Sequence, residues 1–407
     1  MRHVIFITPY LFGSATRFLD PVMALGNVKV SLICHQRLED IPRGFRQGLA
    51  GHYKVSNATD PGQLAVAVKA LATTHGFPHR LINYMEELQE AVAKVRDHFK
   101  IPGMGFEATR NFRDKARMKT VLRSNGFPCA KHCLARSKEE AVAFKEQVGL
   151  PLILKPPAGA GAKSTFRLET DEMFQEYISV FNPSPQDPAL LEEFIQGREF
   201  SFEGVSIEGR LAWYSSTRYF PTPLEVLENP YLQWCVLLPR EVDSAEFEDI
   251  RELNRRALPT LGMETGITHM EWFRRDDGTV AISEVAARPP GAQIMSLMGH
   301  STGKPFHQVW AEVMVNGRTE IPDRKYAVGV AFLRGLGAGK VKAIHGLDEA
   351  QKRVGSVVVE ANLPKVGMGR RQGYEGEGWV IVKHPETEVV KKALKILITT
   401  IRVEFDG

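Results

Sequence analysis

The chain has 407 residues, of which 43% are hydrophobic and 25% charged, which is typical of a globular protein with several domains. Its 52 basic and 48 acidic residues leave a net charge of +4, and this mild balance argues against a nucleic-acid partner. No stretch reaches the roughly 20 apolar residues of a membrane span. The four cysteines are interpreted as free thiols in a reducing compartment, so we expect a cytoplasmic protein without a membrane partner.

The first hundred residues alternate predicted strands and helices. HVIFIT (3–8) and VKVSLICH (28–35) are predicted strands, and the first is not interpreted as a signal peptide because Pro9 interrupts its apolar run. Helical spacing precedes each later strand and continues through 82–99. The alternation favours an open, mostly parallel sheet. Because no G-x-G-x-x-G follows the first strand, a dinucleotide site is not predicted.

The next notable region joins a basic helix to a loop of small residues. Residues 113–125 predict a basic amphipathic helix that carries Lys115, and a later apolar strand, LILK, ends at Lys155. The loop PAGAGAKS follows, but it is not a Walker A loop, because Pro157 and Ala162 replace the required glycines. A strand, loop and strand instead predict a flap over phosphates, with a glycine-rich surface turn as the plainer alternative. Burying the ammonium of Lys155 requires a compensating anion, which favours the flap.

Acidic residues and a long irregular segment come next. Glu192 and Glu193 end an apolar strand and Glu199 opens another, so these carboxylates either bind adenine and ribose hydroxyls or simply flank a turn. The proline-rich segment 221–241 shows little periodicity, and we expect a binding loop or lid there. Arg218 and Tyr219 precede that segment and meet either a substrate carboxylate or the solvent.

A predicted hairpin carries the most specific constellation. Its two arms of equal length run out from Asp277-Gly278 to Glu271 and Glu284, which places these carboxylates opposite each other. Like charges so placed destabilise a sheet. A divalent ion removes the repulsion, and oxygen ligands suit Mg²⁺. Arg288 follows on irregular backbone and is suited to hold a phosphate or carboxylate, although an ordinary surface pair with Glu284 is the alternative.

Taken together, these motifs resemble the ATP-grasp superfamily, most closely its L-amino-acid ligase (carboxylate–amine ligase) branch. The resemblance covers about residues 80–320 and rests on five stretches in the family's order, RDKARMK, LILKPPAGAGAKST, LLEEFIQGREFSFEG, GITHMEWF and ISEVAARPPG. It implies a multidomain α/β and α+β protein with the ATP-grasp fold. The expected parts are an N-terminal open parallel α/β domain (1–108), an ATP-grasp domain (109–320, divided into 109–198 and 199–320) and a small β-rich C-terminal domain (321–407).

The resemblance also implies residue roles. Lys115, Lys155 and Arg288 are the expected catalytic residues, with both lysines on ATP and Arg288 on the transferring phosphoryl group. The ligands of ATP would further include Gly159, Ala160, Gly161, Ala162, Ser164, Glu192, Glu193, Phe194 and Glu199. Glu271 and Glu284 would bind Mg²⁺ or Mn²⁺, and the substrate would meet His269, Gly291, Arg218 and Arg288. One departure matters, since Ala286 stands where most members have an asparagine ligand.

The implied activity is an ATP-dependent ligase that joins a carboxylate to an amine through an acyl-phosphate and releases ADP and phosphate. Its partners would be the small-molecule acid and amine, and a homodimer is a further family expectation. Two alternatives stay open. One is a carboxylase-type or purine-pathway enzyme that uses bicarbonate or formate, and the other is a regulatory protein that binds ATP without turnover.

Overall fold

The computed structural model describes residues 1–157, 165–371 and 373–407. The N-terminal part is a parallel sheet in the order β3-β2-β1-β4, which confirms the predicted open α/β arrangement. Its strands are β1 Arg2–Ile7, β2 Val28–Cys34, β3 Gly51–Lys54 and β4 Arg80–Ile82. Its helices are α1 Ser14–Met23, α2 Arg43–Gly48, α3 Pro61–His75 and α4 Gln89–Phe99. A single 3₁₀ turn, Glu86–Leu88, separates β4 from α4.

An antiparallel sheet of the order β5-β8-β6-β7 follows. Its elements, with the two helices before it, are α5 Phe106–Arg113, α6 Lys115–Ser124, β5 His132–Ala135, α7 Lys138–Val148, β6 Leu152–Lys155, β7 Phe166–Leu168, α8 Asp171–Phe181 and β8 Ala189–Glu193. The single helix predicted over 113–125 is wrong at its start. Asp114 ends α5 and caps α6, because its side chain accepts a hydrogen bond from the Arg117 backbone N–H at 3.0 Å.

The large sheet has the order β13-β12-β9-β10-β11-β14-β17-β16, and its pairs are antiparallel. The strands from residue 197 onward are β9 Gly197–Ile207, β10 Arg210–Phe220, β11 Trp234–Leu238, β12 Gly266–Arg275, β13 Val280–Ala286, β14 Ala327–Leu333, β15 Val341–His345, β16 Val358–Asn362, β17 Gly378–His384 and β18 Arg402–Phe405. The helices are α9 Pro223–Glu228, α10 Glu248–Leu261, α11 Ile294–Thr302, α12 Phe306–Asn316, α13 Leu347–Val354 and α14 Thr387–Thr400. Outside this sheet, β15 pairs with β18.

The large sheet bears on two predictions, the loop at 221–241 and the domain boundary at residue 320. The segment 221–241 is not a loop throughout, because it contains α9 and the fully buried strand β11. The run WCVLL shows no alternation because β11 is buried on both faces, between β10 and β14. The domain boundary at residue 320 stays a prediction. Strands from both sides of it pair within this one sheet.

The two faces of the large sheet pack against different parts of the chain. Phe202, Met270 and Trp272 belong to a core that includes residues of α6 and α10. The opposite face, with Trp234 and Ile267, packs against α11, α12 and the N-terminal part. Where this second face is not covered by apolar residues, it carries polar side chains that border a cavity. In the part of the chain that the structure describes, no helix is long and apolar enough to cross a membrane.

Candidate active site

A cavity of about 520 Å³ collects most of the predicted site residues. It lies where the N-terminal part, the β5–β8 sheet and the large sheet meet. The predicted residues that line it are Lys115, Lys155, Glu192, Glu193, Phe194, Glu199, His269, Glu271, Glu284, Arg288 and Gly291. These residues are spread over about 180 positions of the sequence, so the fold, and not local sequence, brings them together.

The structure does not bring Arg218 to this cavity. Its guanidinium pairs with Glu246 at 2.9 Å and lies over the rings of Phe200 and Phe247. Its neighbour Tyr219 does line the cavity, because adjacent residues of a strand point to opposite faces. The predicted loop ligands Gly159, Ala160, Gly161, Ala162 and Ser164 lie outside the described residues.

Two glutamates face each other across β12 and β13. Glu271 and Glu284 are register partners, as the equal hairpin arms predict. A bulge at Ser283 makes this register possible, since the next pair is Trp272 with Ile282. Lys115, the first residue of α6, contacts the Glu284 carboxylate. Burial alone would raise the pKa of Glu284, but Lys115 and Lys155 outweigh it and hold that pKa at about 2.

These two carboxylates suit a divalent ion that completes its coordination with water or phosphate better than an ion whose ligands all come from the protein. Among residues 1–157, 165–371 and 373–407, no three His, Cys, Asp or Glu side chains are grouped to hold a metal. Ala286 lies opposite His269 and offers no side-chain oxygen. Mg²⁺ commonly takes one or two carboxylates and completes its shell with water and phosphate oxygens. Glu271 and Glu284, both on the cavity wall, suit that mode.

Lys155 also belongs to a buried cluster of ion pairs with Glu192 and Lys119. The Nζ atom of Lys155 is 3.0 Å from Oε1 of Glu192, and the Nζ atom of Lys119 is 3.4 Å from the same oxygen. Burial disfavours the charge on each group, but the two lysines lower the pKa of Glu192 and the carboxylates raise that of Lys155. Lys119 also donates to the Ser283 backbone carbonyl at 2.5 Å. The cluster therefore ties β8 to the bulge beside Glu284.

The wall around Phe194 has the features of an adenine site. The Arg167 guanidinium lies 4.1 Å from the centre of the Phe194 ring, and Glu193 accepts a hydrogen bond from Arg275 at 3.1 Å. Ile153 and Phe273 also line this part. Burial and the neighbouring Glu271 raise the pKa of Glu199 well above that of an ordinary carboxyl group. A protonated Glu199 can donate a hydrogen bond to a ribose hydroxyl.

His269 stands between two carboxylates. Its Nδ1 atom is 3.0 Å from Oε1 of Glu203, and its Nε2 atom is 3.8 Å from Oε1 of Glu271. Burial lowers its pKa, but the hydrogen bonds to Glu203 and Glu271 outweigh that effect and raise the pKa to about 9. At neutral pH the imidazole is therefore a cation, which donates from Nδ1 to Glu203 and forms a longer ion pair with Glu271. His269 thus connects the fully buried Glu203 to one of the two opposed glutamates.

The N-terminal part holds Arg288 in place. The Nε atom of Arg288 donates to Oε2 of Glu86 at 2.6 Å, and Arg113 contacts the other carboxylate oxygen. Glu86 is only 7% exposed. Nearby, the Gln89 side-chain amide donates to the Ala287 carbonyl at 2.6 Å. Despite the opposing effect of burial, the carboxylate of Glu86 raises the pKa of Arg288, which stays charged.

Beyond Arg288 the chain turns sharply into α11. Ala292 and Gln293 both have positive φ angles, 51° and 59°, which residues with a side chain rarely adopt. The Ala292 N–H donates to Oε1 of Glu375 at 3.2 Å, which helps to hold the turn. Such strained positions cluster at functional sites. The turn places Gly291, Ala292 and Ile294 on the cavity wall.

Sequence reasoning missed three charged residues of this site. Lys119 is one of several basic residues of α6, but its i+4 spacing from Lys115 places both lysines on one face of the helix. Glu203 lies opposite His269 on β9, and this pairing joins two strands that are neighbours in the sheet but not consecutive in the sequence. Glu86 lies in the 3₁₀ turn between β4 and α4, and no local pattern singles it out.

A protein-family model for the ATP-grasp domain matches residues 120–304. The chain contains an ATP-grasp domain. The match extends from the middle of α6 past Arg288, and so covers Lys155, Glu271 and Glu284. It confirms the family resemblance inferred from the five sequence stretches.

Curated relatives of this chain include amino acid ligases. It is 24% identical over 251 residues to the L-arginine-specific L-amino acid ligase of Bacillus subtilis, across 60% of each chain. It is 26% identical over 253 residues to alanine–anticapsin ligase of Bacillus subtilis strain 168, across 57% of this chain and 53% of that protein. The chain therefore aligns with just over half the length of these relatives.

Solved structures share the ATP-grasp fold over the whole chain. The L-amino acid ligase from Bacillus licheniformis superposes with a TM-score of 0.78 at 18% identity, covering 100% of this chain and 99% of that one. N5-carboxyaminoimidazole ribonucleotide synthetase from Thermotoga maritima gives 0.71 at 16% identity, covering 100% of both. At these identities the likeness establishes the fold.

Proposed function

We propose that this protein is an ATP-dependent ligase that joins a carboxylate to an amine through an acyl-phosphate. The observation that carries the proposal is the meeting of Lys115, Lys155, Glu271, Glu284 and Arg288 on one cavity wall. The ATP-grasp family match and the two amino acid ligases among the relatives support it.

Different parts of the cavity would bind different parts of the reactants. Phe194 and its neighbours would hold adenine, and Glu199 the ribose. Lys155 and Lys115 would neutralise phosphate charge, and Glu271 with Glu284 would hold Mg²⁺. When bound, that ion withdraws charge from the phosphate oxygens. Arg288 would hold the transferring phosphoryl group, because Glu86 fixes its guanidinium beside the two glutamates.

The reaction proceeds in two displacements. An oxygen of the substrate carboxylate attacks the γ-phosphorus of ATP, the bond to the β-γ bridging oxygen breaks, and ADP leaves. The nitrogen of a neutral amine then attacks the acyl carbon. Inorganic phosphate leaves, the nitrogen loses a proton, and an amide forms. Lys115, Lys155 and Arg288 act by position and charge.

The experiment that tests this function is ADP release from the purified chain with Mg-ATP and pools of acids and amines, followed by mass spectrometry. ADP formed only with particular pairs, together with a condensed product, is expected. The pools include bicarbonate and formate, because N5-carboxyaminoimidazole ribonucleotide synthetase is among the whole-chain fold neighbours. A carboxylated or formylated product would establish that second candidate, and ATP binding without turnover would contradict both.

A further inference from the structure

Five aromatic residues that line the cavity have no role in the proposed nucleotide chemistry. Phe18 and Tyr84, from the N-terminal part, stack with their ring centres 4.4 Å apart. On the opposite side, Trp234 of β11 lies 4.6 Å from the Tyr374 ring and 6.0 Å from the Tyr219 ring. All five line the cavity. We name Phe18, Tyr84, Tyr219, Trp234 and Tyr374 the aromatic subsite.

The polar atoms of two of these rings have hydrogen-bond partners within the protein. The indole Nε1–H of Trp234 donates to the Pro221 carbonyl at 3.0 Å, and the Tyr84 hydroxyl is 3.2 Å from Oγ of Ser14. Phe18 and Trp234 are buried and packed in the main core, so their positions are fixed. The rings therefore present mainly carbon to the cavity, which favours an apolar ligand group.

The charges of the residues that line the cavity also favour an apolar ligand group. Among the described residues that line the cavity, the basic ones are Lys115, Lys155, His269 and Arg288. Each of these four contacts a carboxylate and belongs to the reaction end. The aromatic subsite thus offers no cation to a second acidic group on the substrate, and burying an unpaired charge among rings is costly.

Position decides which reactant occupies the subsite. Arg288, the residue proposed to hold the transferring group, is followed by Ala292, which lines the cavity and belongs to the same core as Phe18 and Trp234. The acid must place its carboxylate beside Arg288 to be phosphorylated. We propose that the aromatic subsite binds the side chain of that acid, and that this side chain is large, apolar and uncharged. The inference rests on the proposed ligase function for its chemistry.

The test compares acids with the same amine pool. The kcat/KM for ADP release is measured with phenylalanine, leucine, alanine, aspartate and arginine as the acid, and mass spectrometry identifies which reactant supplied the carboxyl group. Phenylalanine or leucine should exceed alanine and aspartate about tenfold or more, the effect of burying a large side chain. Best turnover with a small or charged acid would overturn the subsite while leaving the ligase function intact.

A variant that fills the subsite sharpens the test. Ser14, exposed at the start of α1, also lines the cavity, so Ser14→Phe should lower kcat/KM for phenylalanine at least tenfold more than for alanine. Asp20→Phe, at an exposed position of the same helix that is not among the cavity-lining residues, is the matched control. Equal losses for all acids in Ser14→Phe would overturn the inference.

Calorimetric titration measures binding at the aromatic subsite independently of turnover. Phenylalanine and aspartate are titrated into the full chain with Mg²⁺ and a non-hydrolysable ATP analogue. Binding of phenylalanine that Ser14→Phe abolishes would support the subsite even if no ADP is ever released, and the ligase function alone would then fail. Absence of phenylalanine binding would overturn the subsite.

Discussion

Glu271 and Glu284 face each other across β12 and β13, and one of them already contacts a lysine of α6. Two opposed carboxylates in a half-buried sheet are unfavourable by themselves. Their arrangement makes sense when cations from three directions converge on them, namely Lys115, Lys155 and Arg288. The sheet supplies the acidic pair, and other elements supply the charges that offset it.

The first prediction concerns Glu284. Glu284→Gln keeps the side-chain size but removes the charge, so the chain should bind Mg²⁺ poorly and lose about 100-fold or more in kcat for ADP release. Steady-state kinetics across a Mg²⁺ titration measure the effect, and circular dichroism checks the fold. Glu264→Gln, at an exposed position, serves as the control. A fully active Glu284→Gln protein would disprove the metal assignment.

The second prediction concerns Glu86. In Glu86→Gln the guanidinium of Arg288 loses its counter-charge, so kcat should fall about tenfold while KM for ATP changes little, because Arg288 acts on the transferring group. Glu86→Ala should in addition destabilise the fold by roughly 3–5 kcal/mol, since Arg113 and Arg288 would both lose a buried partner. ADP-release kinetics and denaturant unfolding measure the two effects. Glu90→Gln is the neighbouring control, and an unchanged kcat in Glu86→Gln would refute the role.

The third prediction is a pH dependence set by His269. Its pKa is raised from 6.5 to about 9, so its protonated form stabilises the fold fully below pH 6.5. That contribution, at most about 3 kcal/mol, is lost as the pH rises through about 9. Melting temperatures at pH 6 and pH 10 should therefore differ more in the wild type than in His269→Gln. Parallel curves for the two proteins would show that folding leaves the pKa of the imidazole unchanged.

The fourth prediction concerns Lys119. Lys119→Met should destabilise the protein by roughly 3 kcal/mol, because the Ser283 carbonyl and Glu192 both lose a buried partner. It should also raise KM for ATP, since Glu192 lines the cavity and is predicted to bind adenine. Urea unfolding and ATP titrations report these changes. Lys138→Met, exposed at the start of α7, should leave both quantities as they are. A wild-type KM in Lys119→Met would place the lysine outside the nucleotide site.

The sequence predicts the local parts of this molecule well. The parallel N-terminal sheet follows from alternating periodicities, and the pairing of Glu271 with Glu284 follows from a short hairpin. The first needs only the periodicity of each separate segment, and the second needs only contacts between residues close in the chain. Even so, the bulge at Ser283 that completes the pairing is invisible in the sequence, because no side chain there marks an extra residue.

Long-range contacts explain what could not be predicted. Glu86 meets Arg288 across 202 positions, and its helical surroundings give no sign of a buried charge. The strand β11 was expected to be part of a loop, because a strand buried on both faces has no polar alternation and nearby prolines suggest irregular structure. In both cases the deciding partner lies in another part of the fold.

The position of β11 within the large sheet limits where the chain can be truncated. A fragment that ends near residue 304, where the family match ends, would lack β14 and leave β11 as an edge strand. That edge would present the backbone hydrogen-bonding groups of an uninterrupted apolar run, WCVLL, to the solvent. Exposed edges of this kind pair with other chains, so such a fragment should aggregate. The region that the family model matches therefore depends on the C-terminal strands to avoid association with other chains.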